Sequence, residues 1–171
     1  MKSIIAKNNS KVLNSLDGQG NTEYGCNCRK KTDCPLPGKC KTPALIYQAT
    51  VETDSNKETY VGLSAPPFKE RFYGHKGSFT HEKRKKETSL SIYIWELKLK
   101  NEPYTLSWAL ISRAQPFSQV TGICQLCTRE KYIIAFKSEI CTLNKRNELL
   151  NSCRHKQSKL LVRPKRKLNP G

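Results

Sequence analysis

The chain of 171 residues has room for one domain with a modest core plus tails, and no stretch is apolar for long enough to span a bilayer. Lys and Arg number 31 against 14 Asp and Glu, giving a net charge of +17 and a pI near 9.7, which points to a polyanionic partner, nucleic acid ahead of an anionic membrane. Met1–Ser10 holds no sustained apolar segment and reads as no secretory signal; in the reducing compartment this implies, the eight cysteines are metal ligands before they are disulfides.

Residues 1–25 are polar, with little periodicity, and read as a helical or disordered lead-in. Residues 26–43 carry Cys26, Cys28, Cys34 and Cys40 among Lys, Asp, Pro and Gly. Such a segment cannot bury a core of its own, and Zn2+ gathering four thiolates would order it. The domain proper is expected over 44–155. Ala44–Glu52 is rich in β-formers and predicts a strand; Thr53–Lys57 is turn material; Glu58–Leu63 resumes as a strand, giving a β-hairpin. Ser64 is placed to cap a following helix with Pro66 and Pro67 in its first turn and Phe68, Phe72 and Phe79 on its buried side. His81–Glu87 is a charge run and reads as a solvated loop.

Ser89 opens a second helix with Leu90, Ile94 and Leu97 at helical spacing, ended by Asn101 and Pro103. Tyr104, Leu106, Trp108 and Leu110 alternate as a third strand. A third helix is expected from about Cys127 to Lys137 and a fourth over Lys145–Ser152. Cys124 and Cys127 offer two ligands from one tight turn, and Cys153 with His155 can complete a three-cysteine, one-histidine zinc site. Cys141 is then left as a small buried hydrophobe. The basic tail over 156–171 continues a run that, from Arg154, carries seven Lys and Arg and no acid. The runs His81–Lys86 and Arg154–Lys167 suit phosphate contact without base reading and can double as nuclear import signals. The element order predicts a small α/β domain around a three-stranded sheet flanked by helices, its hairpin antiparallel.

Glu130 is the most informative acid. Leu126 precedes it by four, and Ile133 and Ile134 follow by three and four, so its carboxylate points along an apolar helix face. There an ionised group is costly unless paired or metal-bound.

Leu45-Ile46-Tyr47 on the first strand and Tyr60-Val61-Gly62 on the second resemble the paired signature of the GIY-YIG nuclease family. Arg71 falls where that family keeps its arginine, with His75 four residues on and so on the same helical face. Glu130 matches the family's metal-binding glutamate, and Asn144 resembles the asparagine that closes its motif set. Cys26-Asn27-Cys28-Arg29, Cys34-Pro35-Leu36, Tyr93–Lys98, Cys124–Lys131, Leu143–Leu149 and Cys153-Arg154-His155 are similar to segments of the endonuclease domain of Penelope-like retroelements. The resemblance runs from about Ile4 to Val162. Leu45 departs from it, standing where the name motif has Gly.

The resemblance implies an antiparallel GIY-YIG-type sheet and metal-dependent hydrolysis of DNA phosphodiester bonds in the nucleus, serving target-site cleavage by a retroelement. The reverse transcriptase domain of the same element is the implied partner. Glu130 would hold Mg2+ or Mn2+, hard ions suited to carboxylate and water. Arg71 would donate to the phosphate, Tyr47 act as base or orient the water, Tyr60 hold water or a phosphate oxygen, and His75 assist proton transfer. On spacing alone Tyr47 and Tyr60 are ordinary strand tyrosines, Arg71 a surface helix residue and Asn144 an N-cap. A catalytically inactive, zinc-braced DNA-binding module derived from a transposable element is the alternative function, and a zinc-dependent interaction domain a third.

Overall fold

The computed structural model describes residues 25–156; the expected lead-in over 1–24 and the tail from 157 onward lie outside the described residues. Strands β1 (Leu45–Glu52) and β2 (Lys57–Ser64) form the hairpin, and β3 (Thr105–Arg113) pairs with the other side of β1, all antiparallel, in the order β2-β1-β3. Between hairpin and β3 lie helices α1 (Phe68–Thr80) and α2 (Ser89–Leu99); α3 (Gln125–Phe136) follows β3. No helix among the described residues is long and apolar enough to cross a membrane.

The alternation of β1 divides the interior in two. Leu45, Tyr47, Ala49 and Val51 face α1 and α2, meeting Phe68, Leu90, Ile94 and Leu97. Ile46 points the other way, toward Val61, Leu126, Ile133 and the buried Cys141. The sheet is thus the middle of three layers, with helices on both faces. Cys141 fills the smaller core as the small apolar residue expected of it, its thiol donating to the Lys137 carbonyl at 3.1 Å.

Three boundaries differ from expectation. Ser64 is the last residue of β2, its hydroxyl donating to the Pro66 carbonyl at 2.8 Å, so it caps no helix. Helix α1 starts after Pro67, and its first amides go outside the helix: Phe68 N donates to the Thr42 carbonyl at 3.0 Å and Lys69 N to the Cys40 carbonyl at 2.8 Å. The cysteine-rich segment therefore caps α1 with its own backbone, satisfying groups a helix start leaves open, and inserts Leu36 into the larger core. The fourth helix is only a short 3-10 turn, Arg146–Leu150, with Glu148 accepting from the Lys145 amide at its start at 3.1 Å. Helix α2 is capped by Thr88, which accepts from Ser91 N at 3.1 Å, and it stops where Asn101 takes φ 52, a left-handed conformation asparagine tolerates. The charge run holds a 3-10 turn at Glu82–Arg84 and partly neutralises itself through Arg84–Glu87 (2.6 Å) and Lys85–Glu82 (2.8 Å) ion pairs.

Strand β2 is a sheet edge, and side chains cover its outward amides. Thr59 N donates to Thr142 Oγ1 at 2.8 Å and Val61 N to Asn144 Oδ1 at 2.7 Å, while Asn144 Nδ2 returns a bond to the Val61 carbonyl at 2.8 Å. Asn144 thus stands in for a neighbouring strand. It caps no helix.

Candidate active site and metal centres

Tyr47 lies on the central strand, fully buried, with its ring against Phe68 and Trp108. Its hydroxyl accepts from Arg71 Nε at 3.1 Å and lies 2.7 Å from His75 Nε2. Arginine only donates, so the tyrosine proton is directed to His75 Nε2, which requires the tautomer protonated at Nδ1. Burial first, then Arg71 and Arg84, holds His75 down to about 3, so it is a neutral acceptor. Burial pushes the Tyr47 hydroxyl up to about 12 despite the opposing Arg71 charge. Gly62 pairs with Tyr47 across the hairpin, and a Cβ there would lie 2.7 Å from Tyr47 Cζ and 3.1 Å from Tyr60 Cε1. The glycine of Tyr60-Val61-Gly62 exists to let the ring of Tyr47 cross it.

Next to this cluster opens a cleft of about 770 Å3 between β2, α1, the start of α2, α3 and the 145–155 segment. Tyr60, Arg71 and Glu130 line it, with Lys86, Lys131, Lys145 and Arg154 supplying positive charge. Tyr47 stands behind the wall. Tyr60 is only 6% exposed, and its hydroxyl makes no hydrogen bond to another described residue, so its partner is water or a ligand in the cleft it lines. Burial drives its pKa well above the ordinary tyrosine value.

Glu130 is half-buried. Burial, then the nearby charge of Glu148, raises its carboxyl to about 7, against the pull of Arg71, the Leu63 amide and Lys131. Folding therefore disfavours its ionisation, and in buffer without Mg2+ or Mn2+ the contribution of Glu130 to stability is lost as pH rises from about 4.5 through about 7, so it is read as a difference from a variant that lacks this group. Glu130→Gln, neutral throughout, is expected to melt with the parent near pH 4.5 and increasingly above it toward pH 8. Thermal melting of both across that range checks this; a constant difference would show that ionisation is not its source.

Glu148 is not singled out by the sequence, although it lies within the quoted stretch Leu143–Leu149. It lines the same cleft as Glu130. Ser89 Oγ donates to its Oε1 at 2.9 Å and Asn144 Nδ2 to its Oε2 at 2.9 Å. Nothing in the spacing marks it; its signal is only that Asn144 lies four residues before it, with both in one turn.

The two cysteine groups assemble as expected. Cys26, Cys28, Cys34 and Cys40 form one cluster and Cys124, Cys127, Cys153 and His155 another, each with its ligand atoms within 4.8 Å of one another. Sulfur separations of 3.3 Å (Cys26–Cys34), 3.5 Å (Cys26–Cys40) and 3.7 Å (Cys28–Cys40) approach the edges of about 3.8 Å that a tetrahedron of 2.3 Å Zn–S bonds requires. In the second cluster His155 Nδ1 lies 3.5, 3.2 and 3.6 Å from Cys124, Cys127 and Cys153. Without a cation the crowded Cys40 thiol resists ionisation, because burial and the neighbouring cysteines push it up to about 12. A dication reverses that by binding the thiolates, so both donor sets can hold a zinc ion.

The structure thus joins Tyr47, Arg71 and His75 by hydrogen bonds and sets Tyr60 and Glu130 in the adjoining cleft. Asn144 sits behind it, on the β2 edge. The second metal cluster reaches the same cleft through Cys127 and His155. Compared with known proteins, the chain matches no protein-family profile, no curated protein and no solved structure.

Proposed function

We propose that this chain is a divalent-metal-dependent DNA endonuclease of the GIY-YIG type, similar to the nuclease domain of Penelope-like retroelements, acting at a target site in the nucleus beside a reverse transcriptase domain. The observation that carries the reading is the joining of Arg71 to Tyr47 and His75 beside a basic-walled cleft that also holds Tyr60 and an inward Glu130. A zinc-braced binder needs the basic wall and neither the buried relay nor the acid.

Glu130 is the residue to hold Mg2+ or Mn2+, which when bound relieves charge at the scissile phosphate and acidifies water. Arg71 spends Nε on Tyr47, leaving its terminal nitrogens for a phosphate oxygen. Tyr47, buried behind Arg71, orients the guanidinium, and His75 accepts the tyrosine proton at Nε2. Tyr60 is better placed than Tyr47 to hold the attacking water, because its free hydroxyl belongs to the cleft wall. Zn2+ in the two cysteine clusters braces the elements that carry these groups.

The test is cleavage of supercoiled plasmid by the zinc-loaded chain with Mg2+ or Mn2+. The parent is expected to nick or linearise DNA, and Glu130→Ala to lose roughly a hundredfold or more in rate, the scale of removing one charge-stabilising group. A folded parent that shifts DNA at low salt and never cuts it would sink the catalytic reading and leave the DNA-binding module.

A further inference from the structure

We infer that Glu148 is the second carboxylate of the cation site at Glu130, and that Asn144 acts by holding it there. The inference rests on the nuclease reading above and assigns to the same site a residue that the sequence motifs pass over.

Three donors from three directions fix the Glu148 carboxylate: Ser89 Oγ at the start of α2 (2.9 Å), Asn144 Nδ2 (2.9 Å) and the Lys145 amide (3.1 Å). Asn144 is itself tied to the backbone of Val61 by two bonds, at 2.7 and 2.8 Å. Val61 lies between Tyr60 and Gly62, so the chain of contacts runs from the tyrosine strand through Asn144 to Glu148. Those three bonds order the carboxylate without cancelling its charge, since each donor is neutral. Glu130, from α3, lines the same cleft.

Two acids facing one cleft repel, and that alone would mark no site. The independent sign is Tyr60. Its side chain is 6% exposed, its hydroxyl has no hydrogen-bond partner among the described residues, and it lines the same cleft as the two acids and Arg71. A hydroxyl with no partner in the protein, on the wall of the cleft, is ready for a water or an oxyanion. Mg2+ and Mn2+ take one or two carboxylates and keep several waters. Glu130 and Glu148 supply the carboxylates, and Tyr60 can accept from or donate to one of the waters. Arg71 lines the same cleft, its terminal nitrogens left for a phosphate oxygen. Asn144, having no open face on the cleft, is a positioning residue.

The experiment measures Mn2+ binding to the full zinc-loaded chain by the electron paramagnetic resonance signal of free Mn2+, beside the thermal midpoint of each variant. The parent is expected to bind Mn2+ and Glu130→Gln to bind none. Glu148→Gln and Glu148→Asp should each bind about tenfold or more weakly, the scale seen when groups supporting a metal site are altered, and the Mg2+ midpoint for plasmid cleavage should rise in step. The aspartate variant keeps the charge and withdraws the oxygens, so it separates placement from charge and stands in if the glutamine variant does not fold. Folded Glu148 variants that bind Mn2+ like the parent, while Glu130→Gln does not, overturn this inference and leave the nuclease reading intact. A folded parent that binds no Mn2+ overturns both.

Discussion

Cys127→Ser is expected to abolish cleavage while leaving most of the fold in place. Cys127 sits in the first turn of α3, one turn before Glu130, and its sulfur lies 3.2 Å from His155 Nδ1 and 3.5 Å from Cys153. That cluster draws the 145–155 segment, with Lys145, Glu148 and Arg154, against α3. Structural zinc contributes on the order of 10 kcal/mol in small zinc-dependent folds, far more than the exposed bond from Lys131 Nζ to the Asn151 carbonyl at 2.6 Å. With the cluster broken, one wall of the cleft should open while the sheet and the α1–α2 core persist. Zinc content should fall from two ions per chain to one, and amide exchange should rise over 124–128 and 145–156 while staying slow in β1. Cys40→Ser is the contrasting case: its fully buried thiol belongs to the cluster that orders the segment whose backbone caps α1, so losing that ligand should loosen the cap and destabilise the whole chain. Full cleavage by a Cys127→Ser chain holding one zinc would separate the second cluster from the activity.

Gly62→Ala should be nearly as damaging through a single methyl group. The new Cβ would fall inside the contact distance of the Tyr47 hydroxyl and 2.7 Å from its Cζ, against a ring held by Phe68 and Trp108. Tyr47 has no room to yield, being fully buried and bonded to both Arg71 and His75. Overpacking of this kind costs about 1–3 kcal/mol, and relief would come by pushing the hydroxyl away from Arg71. Both the melting temperature and the cleavage rate are expected to drop, the rate by more than the stability loss accounts for at temperatures where the variant is folded. Val61→Ala removes buried side-chain volume on the other face of β2; it should lower stability and leave the rate per folded molecule unchanged. Equal effects of the two on that rate would show that Gly62 serves packing alone.

The sequence made the strands, the first three helices and the metal-cluster membership legible because each rests on a local rule. Alternation marks β1, a 3.6-residue spacing marks α2, and a Cys-x-x-Cys pair with Cys153 and His155 marks the second cluster. Glu130 was legible for the same reason, an acid on the apolar stripe of α3. What stayed hidden depends on contacts across the fold. Ser64 looks like a cap, but strand pairing with Leu45 extends β2 to include it, and the carbonyls of Cys40 and Thr42 do the capping. The stretch Lys145–Ser152 has the composition of a helix, yet only Arg146–Leu150 forms a 3-10 turn, whose Glu148 is held across the fold by Ser89 and Asn144. That Tyr47 stands behind the cleft and Tyr60 on it could not be read from two short tyrosine motifs either. It follows from Arg71 lying over one and not the other.

The hairpin has a further property. An alternating strand can slide by two residues against its neighbour and keep every apolar side chain on its own face, so burial alone does not choose among such pairings. Here a slide would set Tyr60 or Ser64 opposite the buried ring of Tyr47 in place of Gly62, and would carry Val61 away from Asn144. One residue without a side chain and one amide that imitates backbone therefore reject the misaligned hairpins that hydrophobicity would accept. The same pair fixes how far Tyr60 stands from Arg71, so fidelity of strand alignment and geometry of the cleft are one constraint.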